Sequence, residues 1–338
     1  MVLRYVLTRL VAAFLMALGA TFVIFFIAHA VPADPVLAML GDKAAANPEL
    51  IAKFRAHWGF DRPLWEQYWI FLNGLFHGNL GESIISRQSV VQDIRQYGPA
   101  TVELATTAAI FTVIVGLPFG VVAAVKRDTW VDHTARMTSL IGVSAPTFWL
   151  AFVVLAFFYG GLEIAPAPGR LDPGAVPPPR VTGLYTVDAL LVNDYDTFRN
   201  ALAHLMLPAI VLAASTIGLI TRTTRASMLE CLNQDYVRVA RAKGLAERQV
   251  IIGHALPNAL IPVVTLGGLA YGELLAGTVL TETIFSWPGV GRYTFESAIA
   301  LDFPAIMGVT LLIAIIYLGI NLIVDLSYLV LDPRVVSR

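Results

Sequence analysis

The chain has 338 residues, of which 57% are hydrophobic and only 14% are charged, and its mean hydropathy is +0.70. Soluble domains have about 45–50% apolar and about 25% charged residues, so this composition is typical of a protein embedded in lipid. The formal net charge of -1 argues against a nucleic-acid partner, because a phosphate-binding surface needs a basic excess. The single cysteine, Cys231, cannot form a disulfide within the chain.

Six stretches are long and apolar enough to cross a hydrocarbon core, which takes about 20 residues of helix. They lie near residues 10–31, 100–125, 137–159, 201–220, 259–280 and 305–330. The first stretch is longer than the apolar region of a signal peptide, about 7–15 residues, so we expect it to be retained. The sequence therefore predicts an all-α membrane protein, with six transmembrane helices in a single domain over residues 1–338.

Basic residues are distributed unevenly between the two sides of these spans. With a cytoplasmic N-terminus, the inner segments hold 13 of the 23 lysines and arginines against 6 carboxylates, and the outer segments hold 10 against 15. Because cytoplasmic segments carry an excess of Lys and Arg, both termini are predicted to be cytoplasmic.

Two outer segments are long. In residues 32–99, Asn47-Pro48-Glu49 is typical of a helix start, and Gly59 of its end. A second helix, from near Asp61, is apolar on all sides, which favours a position against the membrane interface or a partner. Residues 161–200 contain Pro177-Pro178-Pro179 and are predicted to be stiff and extended, without a fold of their own.

The inner segment 222–258 is predicted to hold two short helices. The first runs from Asp235 and ends at Gly244, since glycine readily adopts the left-handed conformation that ends a helix. The second is expected from about Ala246 to Leu256, with its end at Pro257. Two helices joined at a glycine would form a rigid knob that transmits a push into the spans; the alternative is a plain basic loop that follows the positive-inside rule.

Three carboxylates, Glu103, Glu273 and Asp325, fall within the predicted spans. A carboxylate at mid-membrane costs about 2.5–3.5 kcal/mol on insertion scales, so each is a candidate for lining a pathway. Glu273 is nearest to mid-depth. Glu103 and Asp325 lie near span ends, where the favoured alternative is that they bond one helix to another or sit at the interface.

The segment 222–258 resembles the EAA loop of importer permeases, a pattern of Glu-Ala-Ala, three residues, Gly and, further on, Ile-x-Leu-Pro. Here the pattern is Arg238-Val239-Ala240, Gly244 and His254-Ala255-Leu256-Pro257, so the Glu, the first Ala and the Ile are replaced. The run Asp235-Tyr236-Val237-Arg238-Val239-Ala240-Arg241-Ala242-Lys243-Gly244-Leu245 is similar to the form found in the dipeptide/oligopeptide/nickel permease family of ATP-binding-cassette importers.

Further pieces similar to that family occur in order along the chain, and they look most like the first of the two dipeptide permease subunits. They are Pro32-Ala33-Asp34-Pro35, Gly59-Phe60-Asp61-Arg62-Pro63-Leu64, Gly78-Asn79-Leu80-Gly81-Glu82-Ser83, Thr101-Val102-Glu103-Leu104-Ala105, Thr281-Glu282-Thr283-Ile284-Phe285-Ser286-Trp287-Pro288-Gly289-Val290-Gly291-Arg292 and Asp332-Pro333-Arg334.

This resemblance implies a six-span permease of the type I importer architecture in a bacterial inner membrane, surrounded by lipid. It implies that the knob docks in a groove of a cytoplasmic ATPase, through Asp235, Tyr236, Arg238, Val239, Ala240, Arg241, Lys243, Gly244 and Leu245. The implied partners are a second homologous permease, two ATPases and an external substrate-binding protein. No Gly-x-x-x-x-Gly-Lys-Ser/Thr loop is present, so we expect a non-catalytic subunit without cofactors, whose partner ATPases bind ATP and Mg.

The implied function is the import of small peptides, and Glu273 would suit the ammonium terminus of a peptide. Dipeptide, longer peptide, glutathione-like compound and chelated metal all stay open, since the binding protein sets most of that choice in this family. The alternative is a secondary transporter driven by an ion gradient. That class predicts inverted repeats with broken helices, and the sequence shows no convincing internal repeat.

Overall fold

The computed structural model describes residues 2–30, 49 and 61–331, with the side chains of 6–30, 49 and 61–327. The helix predicted to begin at Asn47 lies outside the described residues, apart from Glu49. The helices are α1 (Val2–Ala30), α2 (Leu64–Phe76), α3 (Val90–Phe111), α4 (Leu117–Val125), α5 (Trp130–Ser144), α6 (Thr147–Leu155), α7 (Tyr185–Leu191), α8 (Tyr195–Leu232), α9 (Asp235–Ala242), α10 (Glu247–Gln249), α11 (Leu256–Ala276), α12 (Val279–Ile284), α13 (Val290–Ile299) and α14 (Phe303–Leu331).

The described part of the chain contains no strand beyond one isolated bridge between Glu82 and Ser89, which confirms the all-α prediction. Short π-helical turns at Thr112–Gly116 and Val250–Ala255 join α3 to α4 and α10 to α11, and a third, Ala156–Gly161, follows α6. We call the end of the bundle with α9 and α10 the knob end, and the end with α12 and α13 the cap end.

Five helical stretches are long and apolar enough to span a membrane: Val6–Ala30, Val90–Val125, Tyr195–Leu232, Glu247–Ala276 and Phe303–Ser327. A sixth is possible only if α5 and α6, which meet at an angle of 103°, count as one span. The span predicted at 137–159 is therefore two helices that meet at Pro146, and it is one span only if this bent pair crosses the membrane together. Ala145 and Pro146 have extended backbones, because the ring of a proline disfavours the helical conformation of the residue before it.

Two other span ends differ from the prediction for local reasons. Helix α8 continues past residue 220 to Leu232, because Thr221, Thr224 and Met228 keep one face of the helix buried. Helix α11 ends at Ala276, before the predicted residue 280, and the chain turns at Gly277 into α12.

Helix α8 lies at the centre of the bundle, where glycines let neighbouring backbones approach closely. A Cβ on Gly120 of α4 would lie 2.5 Å from the Cβ of Thr224, and one on Gly218 of α8 would lie 2.6 Å from the Ser139 carbonyl oxygen of α5. A Cβ on Gly268 of α11 would lie 2.2 Å from Val324 Cγ2 of α14. Small residues therefore set the spacing of these helices.

The outer segment 161–200 is more ordered than predicted, because it contains α7 and two buried charged residues. Asp188 accepts hydrogen bonds from the backbone N–H groups of Thr182 and Gly183, both at 2.8 Å. Burial alone would raise the pKa of Asp188, but the hydrogen bonds from Thr182 and Gly183 outweigh it and lower that pKa below the ordinary range. Pro177-Pro178-Pro179 lies outside any helix, as predicted, but the rest of the segment is folded.

Candidate coupling knob and buried carboxylate network

The knob, residues 235–249, is attached to the bundle by the apolar face of α9. Val237 is fully buried and Ala240 is 5% exposed, and both pack with Met228 of α8 and Val250 of the following π-helical turn. Ala240, which the family resemblance implied to be a docking residue, therefore faces inward. Its small side chain lets α9 lie close to the bundle and is not available to a partner.

The other predicted docking residues form the outward face of the knob. Exposed are Asp235, Tyr236, Arg238, Val239, Arg241, Lys243, Gly244 and Leu245. Tyr236, Val239 and Leu245 are 40%, 52% and 38% exposed, which is unusual for large apolar side chains in the midst of charged ones. Apolar groups surrounded by polar ones are typical of a surface that contacts another protein.

The turn between α9 and α10 is held by the backbone and by one ion pair. Gly244 has φ +78°, the left-handed conformation predicted for it, and its N–H donates to the Arg241 carbonyl at 2.9 Å. Across the turn, Arg241 donates to Glu247 through Nη2 at 2.6 Å and through Nε at 3.1 Å. The knob is thus a clamped pair of short helices.

Both sides of the knob continue directly into long helices. Helix α9 begins three residues after α8 ends, and α10 runs through the π-helical turn Val250–Ala255 into α11. The second knob helix was predicted to end at Pro257, which is wrong. Pro257 lies at the start of α11, directly after the π-helical turn, and the helix continues through it.

A buried ion pair fastens α8 to α5 near the knob. Asp132 is fully buried, and its two carboxylate oxygens accept from Nε and Nη2 of Arg225 at 2.6 Å and 2.7 Å. The backbone N–H of Asp128 also donates to Asp132, at 3.1 Å. Bidentate pairs of this kind combine strength with geometric specificity, so α5 and α8 are held in register.

The structure does not bring the three candidate pathway carboxylates together. Glu103 is 5% exposed and receives hydrogen bonds from Arg170 at 2.5 Å and from the backbone N–H of Thr186 at 2.8 Å. Asp325 forms an ion pair with Arg9 at 2.9 Å. Glu273 is exposed in this chain, and no described residue bonds its side chain. Glu103 and Asp325 thus join segments of the chain, whereas the exposed Glu273 side chain is available for a contact outside the described chain.

The Glu103 site includes an arginine that sequence reasoning missed. The Arg170 guanidinium lies 3.5 Å from the centre of the Tyr185 ring and 5.5 Å from that of Trp287, and it also donates to the Gly183 carbonyl at 3.1 Å. Arg170 therefore fixes the outer segment to α3. Its partners are distant in sequence, and no local pattern around residue 170 indicated them.

A second missed residue is Glu282 of α12, which is fully buried beside the start of α13. It accepts from Thr101 Oγ1 of α3 at 2.6 Å and from the Arg292 backbone N–H at 2.9 Å. Burial raises the pKa of Glu282, and the hydrogen bonds from Thr101 and Arg292 only partly oppose that rise. Only the family-like run from Thr281 to Arg292 marked this region in the sequence.

Two aspartates complete the network at the cap end. Asp302 accepts from Ser83 Oγ at 2.6 Å and from the Ile84 backbone N–H at 2.8 Å, and it caps α14 through the Ala305 N–H at 3.2 Å. Asp93 accepts from Tyr293 Oη at 2.7 Å. Buried carboxylates thus tie α3, α13, α14 and the two outer segments into one unit.

These features define the class of the protein: a helical membrane protein with a cap of buried carboxylates at one end and an exposed knob of two short helices at the other. The chain belongs to the family described as binding-protein-dependent transport system inner membrane component, which matches residues 116–337. Residues 2–105 match the family described as the N-terminal part of the membrane component of such transport systems. The chain is therefore a multi-pass inner membrane component of such a system, which does not fit the alternative of a self-contained secondary transporter.

Similar curated proteins match nearly the whole chain. It is 44% identical over 321 residues to the probable D,D-dipeptide transport system permease protein DdpB of Escherichia coli, covering 95% of this chain and 94% of that protein. It is 42% identical over 335 residues to the dipeptide transport system permease protein DppB of the same organism, with 98% of each chain covered. It is 41% identical over 333 residues to DppB of Alkalihalophilus pseudofirmus, with 98% and 99% covered.

Proposed function

We propose that this chain is the permease subunit of an ATP-binding-cassette importer for small peptides. It pairs with a second, homologous permease, binds two cytoplasmic ATPases and receives substrate from an external binding protein. The names of its full-length relatives, which refer to dipeptides and D,D-dipeptides, support the substrate class. The observation that carries the proposal is the exposed knob, clamped by Arg241 and Glu247 and joined directly to α8 and α11.

The knob is built to pass a movement of a partner into the membrane. Because Val237 and Ala240 pack on α8, α9 moves as one body with the end of that helix. Helix α8 in turn contacts α3, α4, α5 and α11, so a displacement at the knob reaches most of the bundle. Packed helices respond as rigid elements, and this makes a small push at the knob effective at the cap end.

In this proposal the knob end is cytoplasmic and the cap end is external. The excess of basic residues at the knob end supports that orientation, because residues 222–258 hold six basic residues against three carboxylates. The basic residues are Arg222, Arg225, Arg238, Arg241, Lys243 and Arg248. The cap end, held together by Glu103, Glu282 and Asp302, would offer a stable surface to the binding protein.

Glu273 is the residue we propose to face the substrate pathway. It lies on α11 between Gly272, which packs against Tyr317, and Leu274, which is buried in the core. Its own side chain points away from the described chain. Because a carboxylate in lipid is costly, this side chain is expected to face the second permease or a water-filled pathway, where it can attract the ammonium group of a peptide.

The proposal is tested by reconstitution in liposomes. The chain together with the second permease, the two ATPases and the binding protein should take up radiolabelled dipeptide only when ATP is present. The chain alone should neither hydrolyse ATP nor move dipeptide, with or without an ion gradient. Uptake by the chain alone, driven by a proton or sodium gradient, would contradict the proposal.

A further inference from the structure

A cationic pocket opens between α5 and α8, one to two helical turns from Met228, on which the knob packs. Its volume is about 390 Å³, within the range of sites that hold small ligands. Three arginines line it, Arg136 of α5 and Arg222 and Arg225 of α8, together with Ser139, Leu140 and Thr221. The function proposed above makes no use of this pocket.

The charges of the pocket are not balanced within the described chain. Asp132 uses both carboxylate oxygens on Arg225 and lies 3.7 Å from Arg136 Nε, too far for a good hydrogen bond. Arg136 Nη2 contacts His133 Nδ1 at 2.6 Å. A histidine that accepts this bond is neutral, so it does not balance the charge of Arg136. Arg222 is exposed and has neither a hydrogen bond nor an ion pair with any described residue. The pocket therefore presents uncompensated positive charge and free N–H donors.

An apolar surface begins at the edge of this pocket. Met137, Leu140 and Ile141 follow Arg136 along α5, and they are 58%, 57% and 61% exposed. Leu140 belongs both to the pocket wall and to this surface. In a membrane protein, an exposed apolar strip of this kind faces acyl chains, so the arginines lie where the strip reaches the headgroup level.

We infer that the pocket binds the phosphate of an anionic phospholipid, with Arg222 and Arg136 on the phosphate oxygens and an acyl chain along Met137, Leu140 and Ile141. Guanidinium groups bind phosphate through two parallel hydrogen bonds, and the Arg225–Asp132 pair holds the wall of the pocket in place. The site joins α5 to α8, the helix that carries the knob, so the bound lipid would stabilise that contact.

The test uses the full-length chain, purified in a neutral detergent, stripped of lipid and titrated with single phospholipids in native mass spectrometry. The wild type should retain phosphatidylglycerol at a concentration at least tenfold below that needed for phosphatidylcholine. Arg222→Gln should abolish this preference, and Arg222→Lys should keep part of it. Arg127→Gln, which removes an exposed arginine at the same end but outside the pocket, should behave as wild type.

Three outcomes would overturn the inference. Equal retention of phosphatidylglycerol by Arg222→Gln and wild type would place the lipid elsewhere. Displacement of the lipid by millimolar inorganic phosphate would show that the site takes the free anion and not a headgroup. With a photo-cross-linking amino acid at Leu140 in nanodiscs containing phosphatidylglycerol, cross-links to a second protein chain in place of lipid would identify the surface as a subunit contact.

Discussion

Arg241 and Glu247 face each other across the Gly244 turn, with Arg241 Nη2 2.6 Å from the Glu247 carboxylate. Both side chains are about half exposed, and an exposed pair of this kind contributes about 0–1 kcal/mol to stability. Its importance is therefore geometric, since it sets the angle between α9 and α10. Arg241 is a clamp residue first, and Lys243, which no described residue pairs, is the better candidate for an intermolecular charge contact.

Arg241→Glu should reduce transport by separating α9 from α10, because two carboxylates would then face each other across the turn. Restoring the pair in reverse, with Arg241→Glu and Glu247→Arg together, should recover most of the ATP-dependent uptake. Uptake in proteoliposomes measures this. If the reversed pair is as inactive as Arg241→Glu alone, the positive charge of Arg241 contacts the ATPase, and holding the turn is not the main role of Arg241.

Gly244→Val should leave the protein in the membrane but uncouple ATP hydrolysis from transport. At φ +78° a residue with a Cβ is strained by about 1–2 kcal/mol, although the space around Gly244 is open. The matched control is Gly253→Val, where the space is equally open and φ is not left-handed. Uptake per ATP hydrolysed should fall for Gly244→Val alone; wild-type uptake in that variant would contradict a coupling role for the Gly244 turn.

Glu103→Gln and Arg170→Met should each destabilise the chain strongly, because each leaves a buried partner without its counter-charge. Breaking such a pair costs about 3–5 kcal/mol. The double variant should lose less unfolding free energy than the sum of the losses in the two single variants. Thermal unfolding in detergent measures all three. If Glu103→Gln unfolds as wild type does but transports less peptide, the pathway role considered for Glu103 in the sequence would be favoured.

Glu282 should make the chain less stable as the pH rises. Burial raises its pKa in the folded chain above the ordinary value of 4.5, so the folded state holds its proton more tightly than the unfolded state. The loss of folding stability that comes from ionising Glu282 is absent below about pH 4.5. It grows as the pH rises towards the pKa of Glu282 in the folded chain. The melting temperature of Glu282→Gln minus that of wild type should thus increase with pH.

The orientation is tested by labelling cysteines in a Cys231→Ser background. Asp196→Cys at the cap end should react with an impermeant thiol reagent from outside the cell, and Arg248→Cys at the knob end should not. Both positions are exposed and neither is bonded to another side chain, unlike Asp194, which caps α8, and Glu247, which pairs with Arg241. The opposite labelling pattern would reverse the proposed orientation.

Sequence alone was sufficient for the features that depend on nearest neighbours along the chain. The apolar length of each stretch predicted the membrane class and most of the spans, and Gly244 predicted the end of α9. These are local properties, because helix formation and helix ends depend on residues within a few positions.

Only the tertiary structure decided which polar groups meet. Arg170 and Glu103 are 67 residues apart, and Ser83 and Asp302 are 219 apart, so no periodicity relates them. The inward position of Ala240 likewise depends on which surface of α9 packs on α8. A buried carboxylate must find a donor wherever the fold brings one, and the sequence lists donors without saying which of them the fold brings near.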